Sequence, residues 1–250
     1  MQRIHLFFVG MLFCFAAEAQ EFNYSVSTDS VGWQELNSQT ILNTSNSAWE
    51  AGYEIPIGFT LNYLGQDFDS LRIETNGYLV FDQRRNYAFT SFHGFGDMTD
   101  SLGNHSVLGY SLSGSTGNHI LKIQFKNVGE GFSANRFLSY QIWLYESGEK
   151  IELHVGPNDF GPMVFHNMII TADSNEVNDT TIVTTVEQDS VATMIGLLNM
   201  NLDTDTRGYF FTGSVETPVG EAINDQQAVL PSRLLIPHSG YKYTFNPVNN

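Results

Sequence analysis

Apolar residues that recur at every second position are the feature of this chain that most constrains its fold. Large apolar side chains alternate with small or polar ones in the segments 57–63, 71–75, 121–126, 138–145 and 151–155. Successive side chains of a β-strand point to opposite faces, so this period gives each strand one apolar and one polar face. No window shows the 3.6-residue period of an amphipathic helix. The sequence therefore predicts an all-β fold with little helix.

Turn residues separate the predicted strands. Asn76-Gly77 favours a two-residue type I′ hairpin, because both central residues of that turn need positive φ. The segment 146–149 predicts a second antiparallel hairpin, between 138–145 and 151–155. Many short strands punctuated by Gly, Asn, Asp and Ser favour an antiparallel β-sandwich, jelly-roll-like in architecture, over a mixed fold. Since we find neither a Pro-rich linker nor an internal repeat, we expect a single domain over 20–250.

The first nineteen residues have the composition of a secretory signal peptide. Arg3 gives a positive start, 6–17 is an almost unbroken apolar run, and small residues lead to a cleavage site after Ala19. The apolar run is shorter than the roughly 20 residues that cross a membrane. We therefore predict a signal peptide over 1–19. Its removal takes away Cys14, the one cysteine of the chain, and leaves a mature protein without cysteine.

The charge balance excludes several classes of partner. The chain has 11 Lys and Arg against 27 Asp and Glu, which gives a formal net charge of -16. Nucleic acids and anionic membrane surfaces attract basic proteins, so we expect neither as a partner. Hydrophobic residues make up 42% of the chain, which is too many for a disordered one. Because no second apolar run has spanning length, we expect a soluble mature protein with no membrane span.

Several segments resemble a secreted β-sandwich module that is common in Bacteroidota. The opening of that module is similar to IPIGFTLNYLGQ at 55–66 and LRIETNGYLVF at 71–81. The likeness continues in 121–128, 140–156 and 237–247. The resemblance implies a noncatalytic cell-surface or secreted module, and it brings no catalytic residues with it.

The chain departs from that module in two ways. Relatives usually carry a Trp and a pair of Asp residues after the Asn-Gly strand, whereas the stretch 89–97 has no Trp and one Asp. Relatives are also often followed by fibronectin type III repeats and a type IX sorting domain, and neither follows within these residues. Periplasm, cell surface and extracellular medium therefore all stay open as the expected location.

An aromatic-rich stretch provides the candidate binding residues Tyr87, Phe89, Phe92 and Phe95. If exposed, these rings would make a platform for a sugar or a protein partner, because aromatic rings give contact area at little entropic cost. If buried, they would fill the space between the sheets, and the resemblance favours this second interpretation.

Asn201, Asp203 and Asp205 form the candidate metal site. They place oxygen ligands at i, i+2 and i+4, as calcium loops do, although the segment has neither Gly at the sixth position nor Glu at the twelfth. An Asx-rich turn explains the same residues without a metal. Calcium is the one cofactor that the sequence leaves open.

Catalytic motifs are missing from the sequence. No two histidines have zinc-ligand spacing, and no serine lies in a nucleophile elbow. We expect His154 to lie on the outward face of its strand, between inward-facing neighbours. Three carboxylate pairs keep a glycoside hydrolase open as an alternative, although spacing in the sequence does not establish the separation of about 5 to 9 Å that this chemistry needs. The pairs are Asp67 with Asp69, Asp97 with Asp100, and Asp203 with Asp205.

Together these observations predict a secreted, noncatalytic β-sandwich module that binds protein or glycan in the cell envelope or outside the cell. A carbohydrate-active enzyme resembling a glycoside hydrolase is the first alternative. A structural accessory subunit of an outer-membrane or surface assembly is the second. Neither the ligand nor the oligomeric state follows from the sequence.

Overall fold

The structure is a computed structural model that describes most of the chain. The described residues are 23–44, 46, 48–50, 52–74, 77–82, 87–91, 95–100, 102–130, 137–159, 163–164, 169–171, 195–201, 205–213, 218–223, 227–229, 233–234 and 239–248. The predicted signal peptide, 1–19, lies outside them, so it stays a prediction.

Strands make up the regular secondary structure of the described residues, and no helix occurs among them. The strands are β1 (Asn23–Ser30), β2 (Thr40–Ile41), β3 (Gly52–Tyr63), β4 (Gln66–Glu74), β5 (Tyr78–Val80), β6 (Tyr87–Ser91), β7 (Phe95–Gly96), β8 (Val107–Ser113), β9 (Ile120–Glu130), β10 (Leu138–Tyr145), β11 (Ile151–Asn158), β12 (Met163–Val164), β13 (Ile169–Thr171), β14 (Ile195–Asn201), β15 (Asp205–Gly213), β16 (Pro218–Ile223), β17 (Gln227–Val229), β18 (Arg233–Leu234) and β19 (Tyr241–Val248). The all-β prediction is confirmed. In this part of the chain no helix has the length and hydropathy that crossing a membrane requires.

Two antiparallel sheets contain most of the strands. The larger sheet has the order β1-β19-β11-β10-β9-β8-β2, with β7 added beside β9. The smaller sheet has the order β16-β15-β14-β6-β5-β4-β3, and two short pairs, β12-β18 and β13-β17, lie apart from both. Each large sheet contains a meander of four consecutive strands, β8 to β11 in one and β3 to β6 in the other, because short connections favour antiparallel neighbours.

The hydrophobic core lies between the inner faces of the two sheets. Its buried side chains form one contiguous cluster, with members from both sheets that include Ile57, Leu61, Ile73, Leu79, Phe89, Ile123, Phe125, Tyr140, Ile142, Leu153, Tyr243 and Phe245. Phe125 and Tyr140 stack in this cluster with their ring centroids 4.5 Å apart. The predicted sandwich-like fold is therefore confirmed. With a single cysteine in the chain, no intrachain disulfide is available and this core supplies the stability.

The hairpin at Asn76-Gly77 has a longer loop than predicted. The pairs Arg72↔Val80 and Ile73↔Leu79 leave three residues, not two, between Glu74 and Tyr78. The Gly77 N–H donates to the Glu74 carbonyl at 3.2 Å, and Gly77 has φ +88°. A glycine in the left-handed region at the third loop position is the usual solution for a three-residue hairpin. The register of the flanking strands therefore contradicts the predicted two-residue loop, while Asn76 itself lies outside the described residues.

A strap, residues 31–39, crosses the outer face of the larger sheet. It joins β1 at one edge of that sheet to β2 at the other. Six strand intervals of about 4.8 Å make roughly 29 Å, and ten extended residues span at most about 36 Å. The strap therefore runs almost straight across the sheet. The strap covers polar side chains on this outer face, which the sequence pattern predicts to be exposed to solvent.

Candidate functional site: a cleft beside the strap

The outer face of the larger sheet carries a cleft of about 750 Å³. Its floor consists of outward side chains from four interior strands of the sheet, each next in sequence to at least one buried core residue. The strap forms one wall. The floor includes Lys122 of β9, Gln141, Trp143 and Tyr145 of β10, Glu152 and His154 of β11, and Lys242 of β19.

Trp143 lies at the centre of this floor. Its ring stacks on the His154 ring with centroids 4.1 Å apart and an interplanar angle of 23°. The Lys122 ammonium lies 3.9 Å from the centroid of the same indole. Since β10 runs between β9 and β11, Lys122 and His154 approach the indole from opposite neighbouring strands. The indole is therefore fixed by side chains of two neighbouring strands, and it lies on a strand rather than on a loop.

Glu152 is the carboxylate at the floor of the cleft, and its side chain is 5% exposed. It accepts hydrogen bonds from the Tyr145 hydroxyl at 2.7 Å, from Lys150 Nζ at 2.9 Å and from His154 Nε2 at 2.9 Å. Lys242 Nζ lies 3.5 Å away. Burial disfavours the charged form, but the hydrogen bonds from His154, Tyr145 and Lys150 outweigh it and hold the pKa of Glu152 well below its usual range. Glu152 is therefore an ionised carboxylate with a full set of donors.

Tyr145 is held in its neutral form by the same cluster. Burial, followed by its hydrogen bond to the ionised Glu152, raises the pKa of the Tyr145 hydroxyl above its usual range. The Lys150 ammonium lies 3.9 Å from the centroid of the Tyr145 ring. Tyr145 therefore acts as a hydrogen-bond donor that orients Glu152.

Two buried glutamines tie the strap to the floor. Gln141 Nε2 donates to the Gln34 carbonyl and to Gln124 Oε1, both at 2.8 Å. Gln124 Oε1 also accepts from the Leu36 N–H at 3.0 Å, and Gln141 Oε1 accepts from Trp143 Nε1 at 2.9 Å. Sequence reasoning placed Gln124 on a wet face. The structure corrects that expectation, because the strap covers Gln124 and leaves it 1% exposed.

A second polar cluster joins Asp97, His105 and Ser106 beside β8, and it does not form a catalytic triad. Asp97 accepts from His105 Nδ1 at 2.8 Å and from the Ser106 N–H at 3.0 Å. The Ser106 hydroxyl is buried and donates to the Asn127 carbonyl at 2.6 Å. A nucleophilic serine needs an accessible hydroxyl bonded to its base. The arrangement of these three residues instead stabilises the loop before β8.

Comparison with known proteins gives one match. The family model described as NIDO related matches residues 23–247. The chain belongs to the NIDO-related family. No curated protein and no solved structure matches it. Membership of the NIDO-related family suggests a noncatalytic extracellular module, in agreement with the coarse prediction from the sequence, while the likeness to a Bacteroidota surface module stays a prediction.

The structure of this NIDO-related chain describes the side chain of one of the four candidate aromatic residues. Phe89, on β6, is fully buried and meets Phe245 edge-on with centroids 5.8 Å apart, so it belongs to the core. Tyr87 begins β6 and Phe95 begins β7. The side chains of Tyr87 and Phe95 lie outside the described part of the chain, as does the whole of Phe92. For Phe89 the core interpretation holds.

The calcium candidate lies at a hairpin of the NIDO-related fold. Asn201 ends β14 and Asp205 begins β15, and the two are paired in register. Asp203 and the side chains of the other two lie outside the described residues, so the candidate stays a prediction. Among the side chains that are described, no three His, Cys, Asp or Glu residues form a cluster able to hold a metal ion.

The carboxylate pairs are used in different ways. Asp67 accepts from Asn62 Nδ2 at 2.9 Å on an exposed part of β4, where Asp69 also lies. Asp97 binds His105, as described above. Asp100 accepts from the Asn104 side chain and from the N–H groups of Asn104 and Leu102, which lowers the pKa of its carboxyl. Asp203 lies outside the described residues.

Sequence reasoning placed His154 correctly but missed the site around it. His154 faces outward between buried Leu153 and Val155, as predicted, yet its side chain is 12% exposed because Trp143 covers it. The available signal was Trp143 itself, a large aromatic at an outward position of a strand whose other face is core. No sequence pattern marks the strap as a cover of this face. Its position depends on the pairing of β1 with β19, the last strand, which is distant in the sequence.

Proposed function

We propose that this NIDO-related chain is a secreted, noncatalytic module that binds a protein or glycan in the cell envelope or outside the cell, and that the cleft beside the strap is its binding site. The observation that carries the proposal is the convergence of Trp143, Tyr145, Lys122 and Glu152 on one rigid floor. Concave sites with a few well-placed polar groups around aromatic side chains are typical of ligand binding.

The chemistry of Glu152 supports a noncatalytic role. A glycosidase needs one carboxylic acid with a raised pKa to protonate the leaving group. The pKa of Glu152 is lowered instead, and its oxygens are already used by Tyr145, Lys150 and His154. Glu35, the other carboxylate lining the cleft, pairs with Lys126 at 2.9 Å on an exposed surface.

Glycan-array binding by the purified full chain, compared with the Trp143→Ala variant, tests this proposal. We expect wild type to bind a defined set of glycans and Trp143→Ala to lose that binding while its melting temperature shifts by only a few degrees. Release of reducing sugar from a polysaccharide panel would contradict the noncatalytic role. Binding that is unaffected by Trp143→Ala would move the site away from the cleft.

A further inference from the structure

All four lysines of the chain lie on the outer face of the larger sheet. Lys122 and Lys126 point outward from β9, where Ile123 and Phe125 are buried, and Lys242 does so from β19, beside the buried Tyr243. Lys150 directly precedes β11 and reaches Glu152 on the same face. In a chain with a net charge of -16, this is a local concentration of positive charge. The four lysines therefore offset part of the long-range repulsion of anions at this face.

Three of these lysines are already neutralised. Lys126 pairs with Glu35 at 2.9 Å, while Lys150 and Lys242 lie 2.9 and 3.5 Å from Glu152. Lys122 differs, because its ammonium lies over the Trp143 ring and no carboxylate in the described part of the chain is within ion-pair distance. Among the described residues, Lys122 is thus the lysine of the cleft that no carboxylate neutralises.

We propose that the cleft binds an oligosaccharide that carries acidic groups, and that Lys122 binds one carboxylate or sulfate of the ligand. This proposal rests on the proposed function and names its ligand class. An anion would give the Lys122 ammonium an ion pair in a partly desolvated site, in addition to its contact with the Trp143 ring.

The cleft suits a sugar better than a peptide. Its floor strands, β9, β10, β11 and β19, all have neighbours on both sides, so no free strand edge is available for an added peptide strand. The rim offers hydroxyl and amide groups from Ser111, Ser113, Asn37 and Ser38, and Leu112 is its one exposed large apolar residue. Such a lining can form hydrogen bonds with the hydroxyl groups of a sugar. It offers few apolar contacts to the large hydrophobic side chains that anchor a peptide.

Isothermal titration of the full chain with matched hexasaccharides tests this proposal. The probes are hexagalacturonate, its fully methyl-esterified and therefore neutral form, a carrageenan hexasaccharide as the sulfate source, and poly-glutamate as an acidic peptide. Lys122→Gln is the test variant. Lys126→Gln is the matched control, since it removes the same charge from the same strand at a lysine that Glu35 already neutralises.

We expect hexagalacturonate or the carrageenan hexasaccharide to bind at least tenfold more tightly than the neutral ester, with an affinity that falls as salt is added. Lys122→Gln should remove that preference and leave the affinity for the ester unchanged. Lys122→Arg should keep the preference, and Lys126→Gln, which leaves Glu35 unpaired, should weaken binding of the acidic sugars less than Lys122→Gln does.

Four results would overturn the proposal. Equal affinity for the acid and the ester, with both lost in Trp143→Ala, would leave the cleft as a binding site but remove the role of Lys122. Absence of binding to every acidic sugar, or tighter binding of poly-glutamate, would exclude the ligand class. Acidic sugar binding that neither Lys122→Gln nor Trp143→Ala affects would also contradict the proposed site itself.

Discussion

Trp33 of the strap lies directly on Gly156 of β11. A Cβ on Gly156 would meet two indole carbons of Trp33 and the Ser139 carbonyl oxygen, each at 2.8 Å. The absent side chain is thus what allows the strap to lie against the sheet. The Trp33 indole N–H is buried without a hydrogen-bond partner among the described residues, so packing holds this ring in place.

Gly156→Ala should therefore loosen the strap. One neighbour is backbone, so the strap or the strand must move, and overpacking of this kind costs about 1–3 kcal/mol. Gly32→Ala is the matched control on the strap, because nothing lies within 4 Å of its added Cβ. We expect that control to stay within about 0.5 kcal/mol of wild type in urea unfolding. Equal stability of the two variants would show that Trp33 does not need the space at Gly156.

Glu152→Gln should destabilise the protein by about 2–3 kcal/mol at pH 7, because it leaves the cations around a buried carboxylate unneutralised. The pKa of Glu152 is lowered in the folded state, from about 4.3 in an unfolded chain. The ionised Glu152 makes its full contribution to the free energy of unfolding at pH values above the pKa of the unfolded chain. That contribution is lost as the pH falls towards the lower pKa of the folded state. The difference between wild type and Glu152→Gln, measured by urea unfolding, should therefore narrow only below about pH 4.

Glu54→Gln is the control for that experiment. Glu54 is 73% exposed on its side chain and lies 3.9 Å from Arg72 on the smaller sheet. Exposed ion pairs contribute little, so the control should change the free energy of unfolding by less than about 0.5 kcal/mol at any pH. A constant difference between Glu152→Gln and wild type from pH 7 to pH 3 would contradict the ionised, hydrogen-bonded state of Glu152.

Gln124→Leu should release the strap locally, since it removes the acceptor of the Leu36 N–H and of Gln141 Nε2. Leaving buried donors unpaired costs about 1–3 kcal/mol. Hydrogen exchange of the Leu36 amide should accelerate more than exchange within β3 and β4, which belong to the other sheet. Uniform acceleration across both sheets would indicate global destabilisation instead of a local tether.

Gly77→Ala tests the corrected hairpin. Gly77 has φ +88°, where a side chain is strained, so we expect a loss of about 1 kcal/mol in thermal or urea unfolding. Gly77→Asn should cost less, because Asn tolerates the left-handed region better than Ala does. Identical costs for the two substitutions would argue against a left-handed residue at this loop position.

Features that depend on the alternation within one strand could be predicted from the sequence, whereas features that depend on the pairing of distant strands could not. The alternation in β9, β10 and β11 correctly assigns Ile123, Ile142 and Leu153 to the core, because the apolar positions within one strand are enough to show which side chains face inward. The same period places Lys122, Trp143 and His154 outward. Nothing local shows that these three meet, since their contact depends on the register of Trp143 with Lys122 and Glu152 across three strands.

The strap shows the same limit. Its path follows from β1 pairing with β19 at one edge and β2 pairing with β8 at the other, which are pairings across most of the chain. No periodicity marks residues 31–39 as a cover, so Gln124 and Gln141 look like wet positions in the sequence. Phe89 is one of the four candidate aromatic residues, and the alternation of β6 alone does not show whether its ring faces the core or the solvent.

Hydrogen–deuterium exchange of the full chain with and without hexagalacturonate tests the central claim most directly, because it locates the bound ligand without a mutation. We predict that added protection will be confined to the strap and to the floor strands β9, β10, β11 and β19. Protection confined to the smaller sheet or to the segment 87–96, with none at the strap, would contradict the assignment of the cleft as the binding site.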